Sequence, residues 1–204
     1  MPNIFAVAPL IAALATTSAV ESRSGQFTSF ASFELGQVTL GDVQNILGSS
    51  PIKEAGEAGE YEAWVCYSLP TGQVEFNSGE MGGPSHDLLG FTVSRHGRNK
   101  HCPRWPKTIP VPPLQIGDVP LGISTHAFEA SLAVPLEWRG NTGTGNYEYR
   151  REPTHAEILA LPIEIRTQAD KDPTKFMLDV LVTVEGTFDH GRLVKLAAWK
   201  IESY

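Results

Sequence analysis

The sequence predicts an α+β protein built from two tandem α-β-β-β units, each a short helix packed on an antiparallel sheet. Three observations carry this. A capped helical segment followed by strand-like segments occurs twice, about 85 residues apart. A long stretch near the C-terminus alternates apolar and polar residues with the period of a strand. Between the two copies lies a stretch so rich in proline that neither helix nor regular sheet is expected there.

At 204 residues the chain can hold one large domain or two small ones with real cores. With 41% hydrophobic and 19% charged residues it belongs among folded rather than disordered chains. A net charge of -7 argues against general nucleic-acid binding, which needs a basic footprint. Arg95 to Lys107, with five basic residues and no acid, is the local exception.

The first 19 residues read as a signal peptide. The apolar run Ile4 to Ala15 is too short to span a bilayer, and Thr16 to Ala19 are small residues suited to cleavage. The n-region has no Lys or Arg, so a buried N-terminal helix is the competing reading. No cysteine follows that could carry a lipid, so no membrane anchor is expected. A secreted or periplasmic protein starting near Val20 is the result. Residues 20–96 then form the first helix-on-sheet unit, 97–120 a proline-rich linker, and 121–204 the second unit.

In chain order, Glu21 to Ser32 reads as a polar lead-in. Thr39 caps a helix, with Asp42 three residues on where a carboxylate suits the free amides. Leu40, Val43, Ile46 and Leu47 form one apolar stripe, Gly48 stops the helix and Pro51 prevents its resumption. Lys53 to Glu60 is an acidic, glycine-punctuated loop, Tyr61 to Ser68 a strand, Pro70-Thr71-Gly72 a hairpin turn and Gln73 to Asn77 the return strand. Ser78 to Asp87 is a longer loop, and Leu88 to Arg95 closes the first unit as a strand.

In the second unit Ser124 takes the place of Thr39, Phe128 that of Val43 and Leu132 that of Leu47, with Pro135 after the helix. Gly140 to Asn146 reads as a glycine-rich loop and Tyr147 to Arg151 as a strand. An insertion follows: Thr154 and Glu157 make a capping box for a helix through Leu161, closed by Pro162. Ile163 to Gln168 is expected as a strand, Ala169 to Thr174 as a polar turn, and Lys175 to Phe188 as a long strand. The hairpin loop Asp189-His190-Gly191 leads to the last strand, Arg192 to Ser203. In the long strand Leu178, Val180, Val182, Val184 and Phe188 share one face, and Asp179, Thr183, Glu185 and Thr187 the other. That is the pattern of a sheet covered by helices on one side, with a solvated face free for a partner.

The sequence VTLGDVQNILGSSP with its following strand resembles a bacterial extracytoplasmic unit. It occurs in small outer-membrane-assembly lipoproteins and, in tandem, in β-lactamase inhibitory proteins. The matching segments are Val38 to Ser68 and Ile123 to Arg151. The second copy lacks the helix-stopping glycine, and the lipoprotein cysteine is absent. The motif is structural and transfers no catalytic residue. The resemblance implies binding through a sheet face and loops, outside the cytoplasm.

Chemistry-bearing residues are sparse. Cys66 and Cys102 are either one disulfide, as an oxidising compartment would allow, or two unrelated buried thiols. His96, His101 and Cys102 lie close in sequence but lack a fourth ligand and a rigid frame, so no metal is expected. Asp189-His190 is placed at a solvated hairpin tip. No nucleophile elbow or phosphate-binding glycine loop is present, and no cofactor is expected. The binding candidates are the strand aromatics Trp64, Tyr147, Tyr149 and Trp199, residue types favoured at interfaces. The expected function is a non-enzymatic extracytoplasmic binding protein with a protein partner. The alternatives are a small envelope hydrolase with a site between the units, or an envelope assembly factor. The places where the copies differ are Glu54 to Glu62, Gly79 to Asp87 and Pro153 to Gln168, and functional residues are expected there.

Overall fold

The structure is a computed structural model that describes residues 20–57, 59–96, 101–160, 163, 165–166 and 176–203. The expected signal peptide, the turn Ala169 to Thr174 and the start of the linker lie outside the described residues.

Helix α1 (20–25) leads into the small hairpin β1 (Ser29–Phe30) and β2 (Phe33–Glu34). Then come α2 (Leu40–Leu47), β3 (Lys53–Ala55), β4 (Glu62–Leu69), β5 (Gly72–Gly79) and β6 (Gly90–Ser94). The hairpin β7 (Gln115–Ile116) and β8 (Val119–Pro120) precedes α3 (Thr125–Leu132), β9 (Leu136–Arg139) and β10 (Thr142–Arg151). Helix α4 (His155–Ala160), β11 (Leu178–Asp189) and β12 (Arg192–Ser203) complete the chain. The fold is α+β, as expected. Its centre is one eight-stranded antiparallel sheet in the order β3-β4-β5-β6-β12-β11-β10-β9.

That order corrects the expectation of a separate sheet for each unit. The closing strands β6 and β12 pair from Gly90–Trp199 to Ser94–Lys195, so the ladder runs unbroken. Two unpaired edges would each expose a row of amides and carbonyls, and the ladder removes both. Each half also carries a short outer strand, β3 within a stretch expected to be loop and β9 between α3 and β10.

Helices α2 and α3 lie on one side of the sheet. Thr39 and Asp42 form a full capping box on α2, and the Ser124 hydroxyl accepts from the Ala127 amide on α3. Leu40, Val43 and Leu47 of α2 and Phe128 and Leu132 of α3 bury in a single core with Val65, Tyr67, Phe76, Phe91, Tyr147, Val182 and Val184. Ala133, with φ +55, takes the left-handed position that ends α3 without a glycine. In both halves a strand tyrosine ties down a helix end. The Tyr67 hydroxyl donates to the Gly48 carbonyl at 2.6 Å, and the Tyr147 hydroxyl to the Leu132 carbonyl at 2.7 Å.

Three further expectations are corrected. Thr142 to Asn146 is strand, not loop. Gly143 lies under the Trp138 indole, where an added Cβ would come within 2.8 Å of the ring, so this glycine serves close packing rather than a turn. The lead-in Glu21 to Ser32 is part of the core: Phe27 stacks on Tyr147 at 5.6 Å, and Phe30 packs on Phe76 and Phe91. Of the strand expected at Ile163 to Gln168, the described residues 163, 165 and 166 are helical. Ile163 and Ile165 are exposed, so no sheet neighbour rewards the alternation.

The proline-rich segment is extended but packed. Ser68 donates to the Pro103 carbonyl, Trp105 donates back to Ser68, and the Trp105 ring is buried edge-on to Tyr67. Cys66 and Cys102 form a disulfide across Cα atoms 5.2 Å apart. Cys102 is thus withdrawn from any ligand set with His96 and His101.

Candidate functional site

The face of the sheet away from α2 and α3 carries no described helix, and register fixes what it presents. Strict alternation and pairing make one cross-strand row of Asn146, Thr183, Trp199, Gly90, Asn77, Trp64 and Lys53. A second row holds Glu148, Leu181 and Ile201, and a third Arg150, Asp179 and Ser203.

The centre of this face is tightly filled. The Trp199 indole lies across Gly90, where a Cβ would come within 2.6 Å of the ring. Asn77 is 2% exposed and donates through Nδ2 to the Thr92 hydroxyl at 3.1 Å. Glu75 (4% exposed) and Ala197 flank it. Toward β10 the face opens. Thr183 donates to Asn146, Arg150 pairs with Asp179 at 2.6 Å, and Ile201 is 37% exposed. A groove of about 810 Å³ borders this end of β10 and β11, lined by Glu148, Arg150, Leu181 and Ile201 of this face and by Val20, Tyr149 and Val180 of the covered one. An apolar strip of Trp199, Ile201 and Leu181 bordered by charge suits a protein surface better than a small-molecule cavity.

The four aromatic candidates divide between the faces. Trp64 and Trp199 fall in the same row of the uncovered face; Trp199 is half-buried and Trp64 is 8% exposed. Tyr147 and Tyr149 belong to the helix-covered face. Tyr147, 1% exposed, is a core residue, and an exposed role for it is corrected by its place beneath α3 and its bond to Leu132. Tyr149 packs half-buried at the margin of the core. Tyr147 and Tyr149 share parity and therefore one face of β10, and the pairing of β10 with β11 makes that face the covered one.

The strand ends that border the three segments where the halves differ come to one end of the sheet. Glu62 pairs with Gly79, Asn77 with Gly90, Gly90 with Trp199, Asp179 with Ser203, and Leu178 with Arg151. The strand ends bordering residues 54–62, 79–87 and 153–168 therefore share a rim, and Trp64, Trp199 and Ile201 lie beside it.

At this rim the first two segments touch. The Gly59 amide donates to Glu80 at 2.9 Å, Tyr61 stacks on His86 with ring centres 6.4 Å apart, and His86 Nε2 lies 3.8 Å from Glu54. A cleft of about 380 Å³ is lined by Glu57, Tyr61, Glu80, Pro84 and His86. Burial, reinforced by Glu54, pushes the Tyr61 hydroxyl up from its ordinary range. Two carboxylates, Glu57 and Glu80, flank His86 and the Tyr61 ring, so the cleft is acidic with an aromatic wall.

The third segment is anchored by charge. Arg151 bridges Glu157 on α4 and Glu202 on β12, and Lys200 also pairs with Glu202 at 2.8 Å. The Arg151 guanidinium holds Glu157 down to about 2. Burial pushes the Glu202 carboxyl up, but bonds from Arg151 and Lys200 outweigh it and its pKa falls. His190, expected at a hairpin tip, is exposed at the opposite end of the sheet. The two halves meet through a backbone ladder between β6 and β12.

No family model matches the chain, and no curated protein matches it. Two solved structures are similar. One is a candidate β-lactamase inhibitor protein from Streptococcus mutans, 9% identical over 93% of this chain and 96% of that one, with a TM-score of 0.25. The other is an extracellular protein containing an SCP domain from Bacillus anthracis, 12% identical with a TM-score of 0.35. This chain is covered over 83% of its length in that match and spans 49% of the other protein.

Proposed function

We propose that this chain is a non-enzymatic binding protein acting outside the cytoplasm, secreted or periplasmic. It engages a protein partner through the rim of the uncovered sheet face and the loops beside it. The carrying observation is the strip of Trp199, Ile201 and Leu181 on a face without a described helix, beside the end of the sheet where the strand ends bordering the three unrepeated segments lie. The Cys66–Cys102 disulfide supports an oxidising compartment.

In this reading residues 20–96 and 121–204 are two copies of one helix-and-meander unit, joined by 97–120. The mirror order of the strands about the β6–β12 pair and the matched Tyr67 and Tyr147 bonds favour it. Duplication explains the core, and the unduplicated rim is left for recognition. Trp64, Tyr149 and Trp199 remain the aromatic contacts proposed, with Trp199 the principal one.

The test immobilises the full chain, its Trp199→Ala and Leu181→Asp variants, and Asp189→Ala at the far end of the sheet. Each is exposed to proteins released from the cell envelope. Capture should fall for the two rim variants and persist for Asp189→Ala, with all four showing the same folded circular-dichroism spectrum at the assay temperature. Equal capture by all four, or none by the unchanged chain, sinks the reading.

A further inference from the structure

The two long outer flanks of the sheet are treated differently. On β4 the groups that face outward are all met. Lys53 to Ala55 of β3 pair with Glu62 to Trp64. The Ser50 hydroxyl both donates to the Cys66 carbonyl and accepts from its amide. The linker then takes both groups of Ser68. On β10 the covering strand β9 stops at Leu136, opposite Gly145. The two-residue hairpin pairs Arg139 with Thr142, so even-numbered residues of β10 point their amides and carbonyls toward β9. Those of Asn146, Glu148 and Arg150 therefore face outward past the end of β9, and no described residue bonds them. All three side chains are exposed, and the groove of about 810 Å³ passes Glu148, Tyr149 and Arg150.

An open edge of this kind is a template for another strand. We propose that the Asn146 to Arg151 edge of β10 pairs antiparallel with the same edge of a second copy of this chain. Charge selects both the occupant and the register. Outward-facing groups must meet one another, which allows a two-fold axis at residue 148 or 149 and forbids one between them. An axis at 148 sets Glu148 against Glu148 of the second copy. An axis at 149 sets Glu148 against Arg150 on both sides, with each such pair exchanging its backbone hydrogen bonds. Opposite charges directly across an antiparallel pair are favourable and like charges are not, so the axis falls at Tyr149. Arg150 donates to Asp179 through Nε, and no described acceptor takes its η nitrogens. On the other face Tyr149 meets Tyr149. The dimer carries one sheet across both copies and joins their uncovered faces into a single surface.

Sedimentation and light scattering of the full chain over a concentration series test this. The expected result is a reversible shift from the 22.2 kDa chain to twice that mass. Glu148→Arg should weaken dimerisation roughly tenfold or more, since it sets like charges opposite at both sites. Adding Arg150→Glu, with Asp179→Arg to keep the intrachain pair, should restore it. Glu148→Pro removes an outward amide that no strand of the monomer uses, so it should give a folded monomer. The unchanged chain remaining monomeric at every concentration overturns the proposal, including when the edge instead accepts a strand of another protein. So does a dimer indifferent to Glu148→Arg, or a charge swap that fails to restore it. If Glu148→Pro does not fold, the charge-reversal pair decides alone.

Discussion

The hydroxyls of Tyr67 and Tyr147 each satisfy a carbonyl at a helix C-terminus, where the last turn has no partners of its own. Burial pushes both hydroxyls up from 10.0 to about 12. A group whose pKa is raised on folding lends stability that is complete below its unfolded value and lost as pH rises through its folded one. Stability should therefore hold to about pH 10 and fall between 10 and 12, as read by denaturant melts across that range. Tyr67→Phe or Tyr147→Phe removes the donor and leaves a carbonyl unmet, at about 1–2 kcal/mol each. The two losses should add, because they share no partner. A melt in which either variant matches the parent overturns the assignment. The sequence marked Tyr147 by type, as an aromatic on a strand, but not its direction. That is set by the register of β10 on β11, which packs Tyr147 beside Val182.

At the scale of elements, what was legible is what local chemistry dictates. The Thr39, Ser124 and Thr154 caps stand where the sequence puts them, because a hydroxyl three residues before a free amide needs no distant partner. The edge strands β3 and β9 were not legible, since a short strand is defined by its neighbour's open amides rather than by its own pattern. Gly143 and Gly145 misled for the same reason: they read as loop residues and are strand residues making room for Trp138 and Leu136. Helix α4 is held to the sheet by Arg151, which bonds Glu157 and Glu202. Both carboxyls have depressed pKa values, so their contribution is present above pH 4.5 and lost as pH falls toward 2. Amide exchange in α4 should accelerate over that window while β11 and β12 stay protected. Arg151→Met should give the same acceleration at neutral pH. Uniform protection of α4 down to pH 2 would show that something else holds it.

For the whole molecule the decisive feature is the β6–β12 ladder, which makes two halves share one sheet and one core. The Cys66–Cys102 disulfide closes a loop of sequence separation 36 and pins the connecting segment against β4. On chain-entropy grounds its loss costs about 4 kcal/mol. Cys66→Ser with Cys102→Ser should lower the denaturation midpoint accordingly, with a single transition for both halves because the ladder couples them. Two separated transitions would show that the halves fold independently.

The sequence by itself determined the α+β class, the helix caps, the amphipathic strands and the polar rim segments, all of which depend on residues within a few positions of one another. The tertiary structure alone decided that the halves share a sheet, that Tyr147 is core while Trp199 lies across Gly90 on the open face, and that the strand ends bordering three distant segments share one rim. Each of those rests on strand register, which is a contest between backbone pairings far apart in the chain. Alternation tells which residues share a face of a strand; only the neighbouring strands tell which face is covered.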